Sequence, residues 1–123
     1  MNSLDIAKQY NRFQNDIGQF SDTNLDHVIS SLFSKSFQKV ANGVKLVATR
    51  NALRDQLLAV RDQAGKWTID VIEVAALQDP NRALIRYHLV STNLGVFDIM
   101  ATLRISSEGL IEEVDEVYYQ KAS

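Results

Sequence analysis

Residues 67–119 read WTIDVIEVAALQDPNRALIRYHLVSTNLGVFDIMATLRISSEGLIEEVDEVYY, and this stretch decides the fold. The segment from Trp67 to Gln78 is rich in β-branched residues. It ends at Asp79-Pro80-Asn81, where proline favours a turn and cannot donate to a β-ladder. The next two runs, 82–92 and 97–105, alternate apolar and mixed side chains at a period of two. The stretch is therefore predicted to be an antiparallel meander with one core face.

The last run of the meander, 110–120, does not keep one parity. Its apolar residues Ile111, Val114 and Val117 would fall on both sides of a regular strand. A β-bulge places two residues opposite one and changes the parity of the residues that follow. The spacing therefore predicts a bulge or a strong bend in this strand.

Two helices are predicted before any strand. The first covers residues 3–20, where apolar side chains recur at spacings of three and four: Ile6, Tyr10, Phe13, Ile17 and Phe20. Residues 21–24, Ser21-Asp22-Thr23-Asn24, offer several possible helix caps. A second amphipathic stripe over residues 25–33 then predicts a short helix.

A small hairpin and a third helix connect these helices to the meander. Asn42-Gly43 predicts a tight turn between two short strands within residues 37–47. Thr49 is placed as the N-cap of a third helix, and Gly65 is placed as its C′ residue. The predicted order is α-α-β-α followed by the β meander.

Composition limits the class of protein. A chain of 123 residues with 46% hydrophobic and 23% charged residues predicts one domain over residues 1–123. A net charge of -2 without a basic cluster predicts no nucleic-acid partner. The absence of cysteine excludes disulfides and thiolate chemistry. Because Met1–Asp5 lacks a signal-peptide start and no apolar run has membrane-spanning length, we expect a cytoplasmic location and no membrane partner.

A continuous sheet and three amphipathic helices bury their apolar faces when the helices cover one face of the sheet, which predicts an α+β fold. Four local patterns accompany this order of elements: Gln9-Tyr10-Asn11-Arg12-Phe13, Leu25 through Leu32-Phe33, Asn51-Ala52-Leu53 and Glu108-Gly109-Leu110-Ile111. In these features, over nearly its whole length, the chain resembles the SnoaL-like branch of the nuclear transport factor 2-like superfamily. The resemblance implies a curved, mixed or antiparallel sheet that forms a cone, a cystatin-like roll, with the three helices over its concave face. It also implies an apolar pocket for a small molecule and pairing of two copies through the outer sheet face.

The same superfamily includes ketosteroid isomerase, and the resemblance places that enzyme's carbonyl-polarising tyrosine near Tyr10. Its general-base aspartate would fall at about Ala41 or Asn42, and its second, protonated aspartate at about Ala101. Proton abstraction next to a carbonyl needs a base within hydrogen-bond reach. Since these positions lack a carboxyl group, steroid isomerisation by that mechanism is not expected.

The candidate site follows from this resemblance. It implies Glu116 and Tyr10 as catalytic groups, because a carboxylate in an apolar cone can act as a general acid or base. For Glu116 the alternative is a solvated strand face within the charged run 112–116. For Tyr10 and Tyr87 the alternative is a core position with a hydrogen-bonded hydroxyl. The implied pocket residues are Tyr10, Phe13, Phe33, Tyr87, Ile99, Ala101 and Tyr118.

The mixed face of the meander offers a second surface. We expect it to form the interface of a homodimer through a polar set of side chains and one methionine: Arg86, His88, Asp98, Met100 and Arg104. His27 is expected to face solvent. The two histidines form no metal-binding pattern, and no nucleotide-binding or nucleophile-elbow motif is present, so neither a metal nor a cofactor is expected.

Two functions from different classes remain open. The first is a small-molecule pocket, in a binding protein or in a lyase, isomerase or hydrolase. The second is a non-catalytic interaction or dimerisation module of the same fold. An open cavity where Tyr10, Tyr87 and Glu116 converge would favour the pocket, whereas a cone filled by its own side chains would favour the module.

Overall fold

The computed structural model describes residues 2–20 and 24–122, and within them it contains three helices and six strands. The helices are α1 (Ser3–Gly18), α2 (Leu25–Leu32) and α3 (Arg50–Ala64). The strands are β1 (Phe33–Ala41), β2 (Val44–Val47), β3 (Trp67–Ala76), β4 (Arg82–Ser91), β5 (Gly95–Ile105) and β6 (Ile111–Gln120). This is the predicted order, with β1 and β2 as the predicted hairpin.

Local capping explains where the helices begin and end. Asn24 is the N-cap of α2, where its side-chain oxygen accepts a hydrogen bond from the backbone of His27. The other predicted caps in this segment, Ser21, Asp22 and Thr23, lie outside the described residues. Thr49 precedes α3 as predicted, without a side-chain capping bond, and Gly65 ends α3 with a positive φ of 68°.

All six strands form one sheet in the order β2-β1-β6-β5-β4-β3. The neighbouring strands are antiparallel except β1 and β6, which pair in parallel and make the sheet mixed. α1 packs against β3 and β4, while α3 packs against β1 and β2. The predicted core residues Ile85, Ile99 and Leu103 are buried beneath them. The α+β prediction, with helices over one face of a curved sheet, is confirmed.

The predicted irregularity in β6 is a register shift near its start. Ile105 pairs with Ile111 whereas Arg104 pairs with Glu113, so one extra residue is inserted in β6. As a result Ile111 and Val114 are both fully buried, although three positions separate them. The same shift sets the parity of the rest of β6 and therefore directs Glu116, two positions beyond Val114, toward the concave face.

No helix within the described residues is long and apolar enough to cross a membrane. The cytoplasmic location and the single domain over residues 1–123 stay predictions.

Candidate functional site

A cavity of about 230 Å³ opens in the concave face of the sheet, beneath α1 and α3. Its walls are mostly apolar, with Leu57, Trp67, Leu89, Phe97 and Ile99 among the lining residues. A small polar set also lines it: Gln14, Lys39, Gln56, Gln63, Tyr87 and Glu116. An apolar cavity with a few convergent polar groups is the usual form of a small-molecule site.

Glu116 and Lys39 form a buried ion pair in this cavity. The Lys39 Nζ lies 3.8 Å from the Glu116 Oε1, and each side chain is only 9% exposed. The parallel pairing of β1 with β6 places Ala41 opposite Glu116 and Val114 opposite Lys39, which brings both charged residues to the same face of the sheet. The cavity therefore holds one positive and one negative charge side by side.

Sequence reasoning did not single out Lys39. Phe37, Lys39 and Ala41 alternate along β1, and all three are buried. The period of two in this strand was a usable signal, since it places the lysine on the core side between two apolar residues. The general tendency of lysine to be exposed hides that signal.

Asn42 fixes the end of β6 beside this ion pair. Its backbone N–H donates to the carbonyl of Glu116 at 2.9 Å. Its side chain accepts from the Tyr118 N–H at 2.9 Å and donates to the Tyr118 carbonyl at 3.1 Å. Asn42 has a positive φ of 49°, a conformation that asparagine tolerates in turns. The hairpin turn thereby positions both Glu116 and Tyr118 at the rim of the cavity.

Gln14 is held over the cavity by the packing of α1 on β3. The indole Nε1 of Trp67 donates to the Gln14 carbonyl at 3.0 Å, and the Ile69 N–H donates to the Asn15 Oδ1 at 2.9 Å. The close approach needs Gly18, where an added Cβ would lie 2.3 Å from the Trp67 Cδ1. These contacts hold the backbone of α1 in place at Gln14, whose side chain lines the cavity.

Tyr87 in the lining and Tyr10 on α1 are both buried tyrosines with raised pKa values. Tyr87 donates its hydroxyl hydrogen to the Gln14 Oε1 at 3.2 Å. Burial, together with the nearby charge of Glu116, raises the pKa of Tyr87 well above its ordinary value of 10.0. Burial also raises the pKa of Tyr10 well above 10.0, with smaller contributions from Tyr87 and Glu116. Tyr87 and Glu116 both line the cavity, whereas Tyr10 does not, and the catalytic roles of Tyr10 and Glu116 stay predictions.

The structure brings four of the predicted pocket and catalytic residues into the lining of the cavity: Tyr87, Ile99, Glu116 and Tyr118. The others lie in the core beside it. Tyr10, Phe13 and Phe33 belong to an aromatic cluster with Phe37, in which the ring centroids of Phe33 and Phe37 are 4.8 Å apart. Ala101 is buried directly opposite Glu116 in the β5–β6 register. The space for a ligand therefore lies toward the α3 side of the sheet, and the aromatic cluster fills the other end.

A larger depression of about 360 Å³ lies between α2 and α3, but it has a different character. Its charged lining is solvated, since Arg54 and Asp26 form an ion pair at 3.3 Å with side chains 49% and 79% exposed. Exposed ion pairs of this kind are screened and contribute little. We therefore regard the concave cavity as the candidate site.

The outer face of the sheet carries the predicted polar set in two parts. Arg86 binds the carboxylate of Asp98 through two hydrogen bonds of 3.2 and 2.8 Å. Tyr119 donates to the Asp98 Oδ2 at 3.1 Å, and the His88 Nε2 lies 3.8 Å from the same oxygen. Arg104 instead pairs with Glu112 at 3.3 Å and Glu113 at 4.0 Å. In the described part of the chain, no three histidine or acidic side chains are grouped to hold a metal ion.

The hydrogen bonds around Asp98, which we call the Asp98 cluster, are expected to make the folded state less stable in acid. Hydrogen bonding to Arg86, opposed by burial, lowers the pKa of Asp98 from 3.8 to about 2. Because the folded-state pKa is the lower one, the stabilisation is complete above pH 4 and is lost as the pH falls toward 2. We expect Asp98→Asn to flatten the dependence of the unfolding free energy on pH in this window. Urea unfolding at several pH values measures this, with Asp115→Asn as a control for the loss of one negative charge, and an unchanged pH dependence in Asp98→Asn would contradict the assignment.

Comparisons with solved structures identify the fold. A candidate isomerase of the SnoaL-like family from Agrobacterium tumefaciens strain C58 superimposes with a TM-score of 0.74 at 15% identity, covering 94% of this chain and 96% of that one. A nuclear transport factor 2-like protein of unknown function from Exiguobacterium sp. 255-15 gives a TM-score of 0.69 at 19% identity, covering 89% and 98%. This chain has the SnoaL-like, nuclear transport factor 2-like fold. The predicted resemblance is confirmed at the level of the fold.

A third similar structure is the epoxide hydrolase/cyclase-like enzyme SalBIII, which has a role in pyran ring formation in the polyether salinomycin. It superimposes with a TM-score of 0.66 at 16% identity, covering 94% of this chain and 88% of that one. No protein-family model and no curated protein sequence matches the chain. The SnoaL-like fold is therefore established from structure, and the function rests on the cavity itself.

Proposed function

We propose that this protein binds a small, mainly apolar molecule in the cavity beneath α1 and α3. The observation that carries the proposal is the cavity of about 230 Å³ in which a buried carboxylate, a buried ammonium and a buried phenol meet apolar walls. A cone filled by its own side chains would have had no room for a ligand. The free volume beside Tyr87 and Glu116 supports the pocket over the interaction module.

The same groups support a lyase, isomerase or hydrolase reaction. Glu116 lies in the lining as a general base or acid, and Lys39 next to it supplies a second proton-carrying group. Tyr87 and Tyr10 remain protonated, so they supply donors or polarity rather than a base. SalBIII, with a similar fold, is described as an epoxide hydrolase/cyclase-like enzyme. Glu116 is accordingly the proposed acid-base residue.

Glu116→Gln is expected to weaken binding or turnover of a ligand by about tenfold or more, because hydrogen bonds to a charged group contribute roughly 1.5–3 kcal/mol. Native mass spectrometry of the protein purified from its own host measures any retained small molecule. The matched control is Asp115→Asn, since Asp115 is the adjacent residue and is exposed. Equal retention in Glu116→Gln and Asp115→Asn would remove Glu116 from the site. The pocket proposal itself would be contradicted if the purified protein retains no ligand and no compound of a fragment library shifts the NMR signals of Tyr87 and Ile99.

The second candidate role is a homodimer through the outer sheet face. Around the Asp98 cluster this face exposes four large side chains: Val90, Met100, Val117 and Tyr119. A surface that combines exposed apolar and tyrosine side chains with a paired polar centre resembles a protein interface more than an ordinary solvated face.

We expect native mass spectrometry to detect a dimer and Val117→Lys to shift it toward the monomer. In a dimer the substitution would place one lysine of each copy at the interface. The two positive charges would repel each other and lose their hydration, which costs free energy. Val44→Lys is the matched control, because Val44 is equally exposed but lies on β2 at the edge of the sheet. A wild-type monomer at micromolar concentration, or a dimer unaffected by Val117→Lys, would contradict this assembly.

A further inference from the structure

The cavity is electrically balanced. Its two buried charges are the ammonium of Lys39 and the carboxylate of Glu116, only 3.8 Å apart. The remaining polar groups in its lining are uncharged amides and phenols. A ligand entering this space therefore meets a site of zero net charge that already contains an ion pair.

The hydrogen-bonding capacity of the cavity is largely unused. The Lys39 ammonium has three donors, yet the ion pair is longer than a hydrogen bond, and Glu116 is its one polar side-chain partner among the described residues. The Gln14 Nε2 is a buried donor, and the Gln56 Oε1 a buried acceptor, without a partner in the described part of the chain. Buried polar atoms of this kind normally have partners. Lys39 thus offers free donors and Glu116 free acceptors to a ligand, and Gln14 and Gln56 in the lining each hold one unpaired buried polar atom.

We propose that the ligand is an uncharged molecule of about one substituted ring that carries both a hydrogen-bond acceptor and a hydrogen-bond donor. The acceptor binds Lys39 and Gln14, and the donor binds Glu116 and Gln56. This inference rests on the proposed small-molecule function and names the class of ligand that the cavity takes. Neutral hydroxy-carbonyl compounds, hydroxy-amides and lactones with a free hydroxyl belong to the class.

The volume of the cavity suits a ligand of about one ring. An apolar protein cavity of about 150 Å³ accommodates benzene. The present cavity of about 230 Å³ is larger by the volume of a few substituent atoms. The aromatic side chains of Trp67 and Phe97 in the lining suit a ring, and Lys39 and Glu116 in the same lining suit its polar substituents.

The paired charges of Lys39 and Glu116 disfavour the binding of charged ligands. A carboxylate ligand would be attracted by Lys39 but repelled by Glu116, whose carboxylate lies 3.8 Å from the Lys39 ammonium, and an ammonium ligand would meet the reverse. Neither ion gains net attraction, while each loses its hydration on entering an apolar site. A neutral ligand avoids that cost and still satisfies the free donors and acceptors.

Three isosteric probes test the inference on the wild-type protein: 4-hydroxybenzamide, which is neutral, 4-hydroxybenzoate, which is an anion, and 4-hydroxybenzamidine, which is a cation. Protein-observed NMR titration at neutral pH gives a dissociation constant for each and locates it through the signals of Tyr87 and Ile99. We expect the amide to bind at least about tenfold more tightly than either ion.

Two single substitutions then change the charge of the cavity in opposite directions. Glu116→Gln leaves Lys39 alone and is expected to make 4-hydroxybenzoate the preferred probe. Lys39→Met leaves Glu116 alone and is expected to make 4-hydroxybenzamidine the preferred probe. The double variant Lys39→Met/Glu116→Gln is neutral again and is expected to restore the preference for the amide, and thermal unfolding checks that each variant is folded.

The outcomes separate the two proposals. If either ion binds the wild-type protein as tightly as the amide, the neutral-ligand inference fails while the small-molecule function stands. If the amide binds best but the single variants keep that preference, Lys39 and Glu116 do not select the ligand, and the inference also fails. If none of the three probes shifts Tyr87 or Ile99 at millimolar concentration, the one-ring class is wrong, and the fragment library described above decides whether the pocket itself survives.

Discussion

Phe33→Ala is expected to lower the free energy of unfolding by about 3–5 kcal/mol, the range found when a fully buried phenylalanine is truncated. Phe33 is fully buried at the start of β1, where α2 ends. Its ring packs edge-on against three other aromatic rings, with centroid distances of 6.1, 5.3 and 4.8 Å. Such pairs stabilise a fold by more than the area they bury. Truncation would leave a void, because the surrounding rigid rings can move only partly into the vacated space.

The control for Phe33→Ala is Phe97→Ala. Phe97 is half-buried on β5 and lines the cavity, so its truncation enlarges a space that already exists. We expect a smaller loss of stability for Phe97→Ala and a larger effect on ligand binding. Urea unfolding at neutral pH measures the first, and titration with 4-hydroxybenzamide measures the second. Should Phe33→Ala lose little stability yet weaken ligand binding, the cavity would extend into the aromatic cluster.

The aromatic cluster also explains which part of the site the sequence could not predict. Period-two alternation assigned Tyr87 and Ile99 to the concave face, and both line the cavity. Alternation cannot tell which part of a concave face is packed and which is open. Here Phe33 meets the α1 rings of Tyr10 and Phe13 as well as the ring of Phe37, and the contact with α1 depends on where the helix crosses the sheet.

The ion pair was beyond sequence reasoning for a different reason. The sequence predicts Glu116 as a candidate carboxylate. Which face of the sheet it occupies depends on a register shift in β6, which the apolar parity indicates but does not locate. Lys39 lies far from it along the chain, and the two meet only because β1 and β6 pair in parallel. A parallel pair between the first and last strands of a sheet leaves no local signal in either strand. Composition and spacing therefore predicted the layer arrangement and the core face, while the partner of Glu116 required the three-dimensional topology.

Lys39→Met is expected to lower the free energy of unfolding by roughly 3–5 kcal/mol, because it leaves the Glu116 carboxylate buried without its counter-ion. Both side chains are 9% exposed, and in the described part of the chain Lys39 is the one basic group within 4 Å of that carboxylate. The double variant Lys39→Met/Glu116→Gln removes both charges and is expected to recover most of the loss, since replacing a buried ion pair by uncharged side chains of similar volume is often close to neutral.

Urea unfolding of the wild-type protein, the two single variants and the double variant completes a double-mutant cycle. We expect a coupling energy of about 3 kcal/mol or more, because it must be at least as large as the loss that the double variant recovers. Lys35→Met is the matched control, because Lys35 lies on the same strand and is exposed, where substitutions change stability by about 0.5 kcal/mol or less. A Lys39→Met variant as stable as Lys35→Met would mean that water reaches Glu116 freely. In that case the cavity would not hold charges in an apolar setting, and the physical basis for selecting an uncharged ligand would be lost with it.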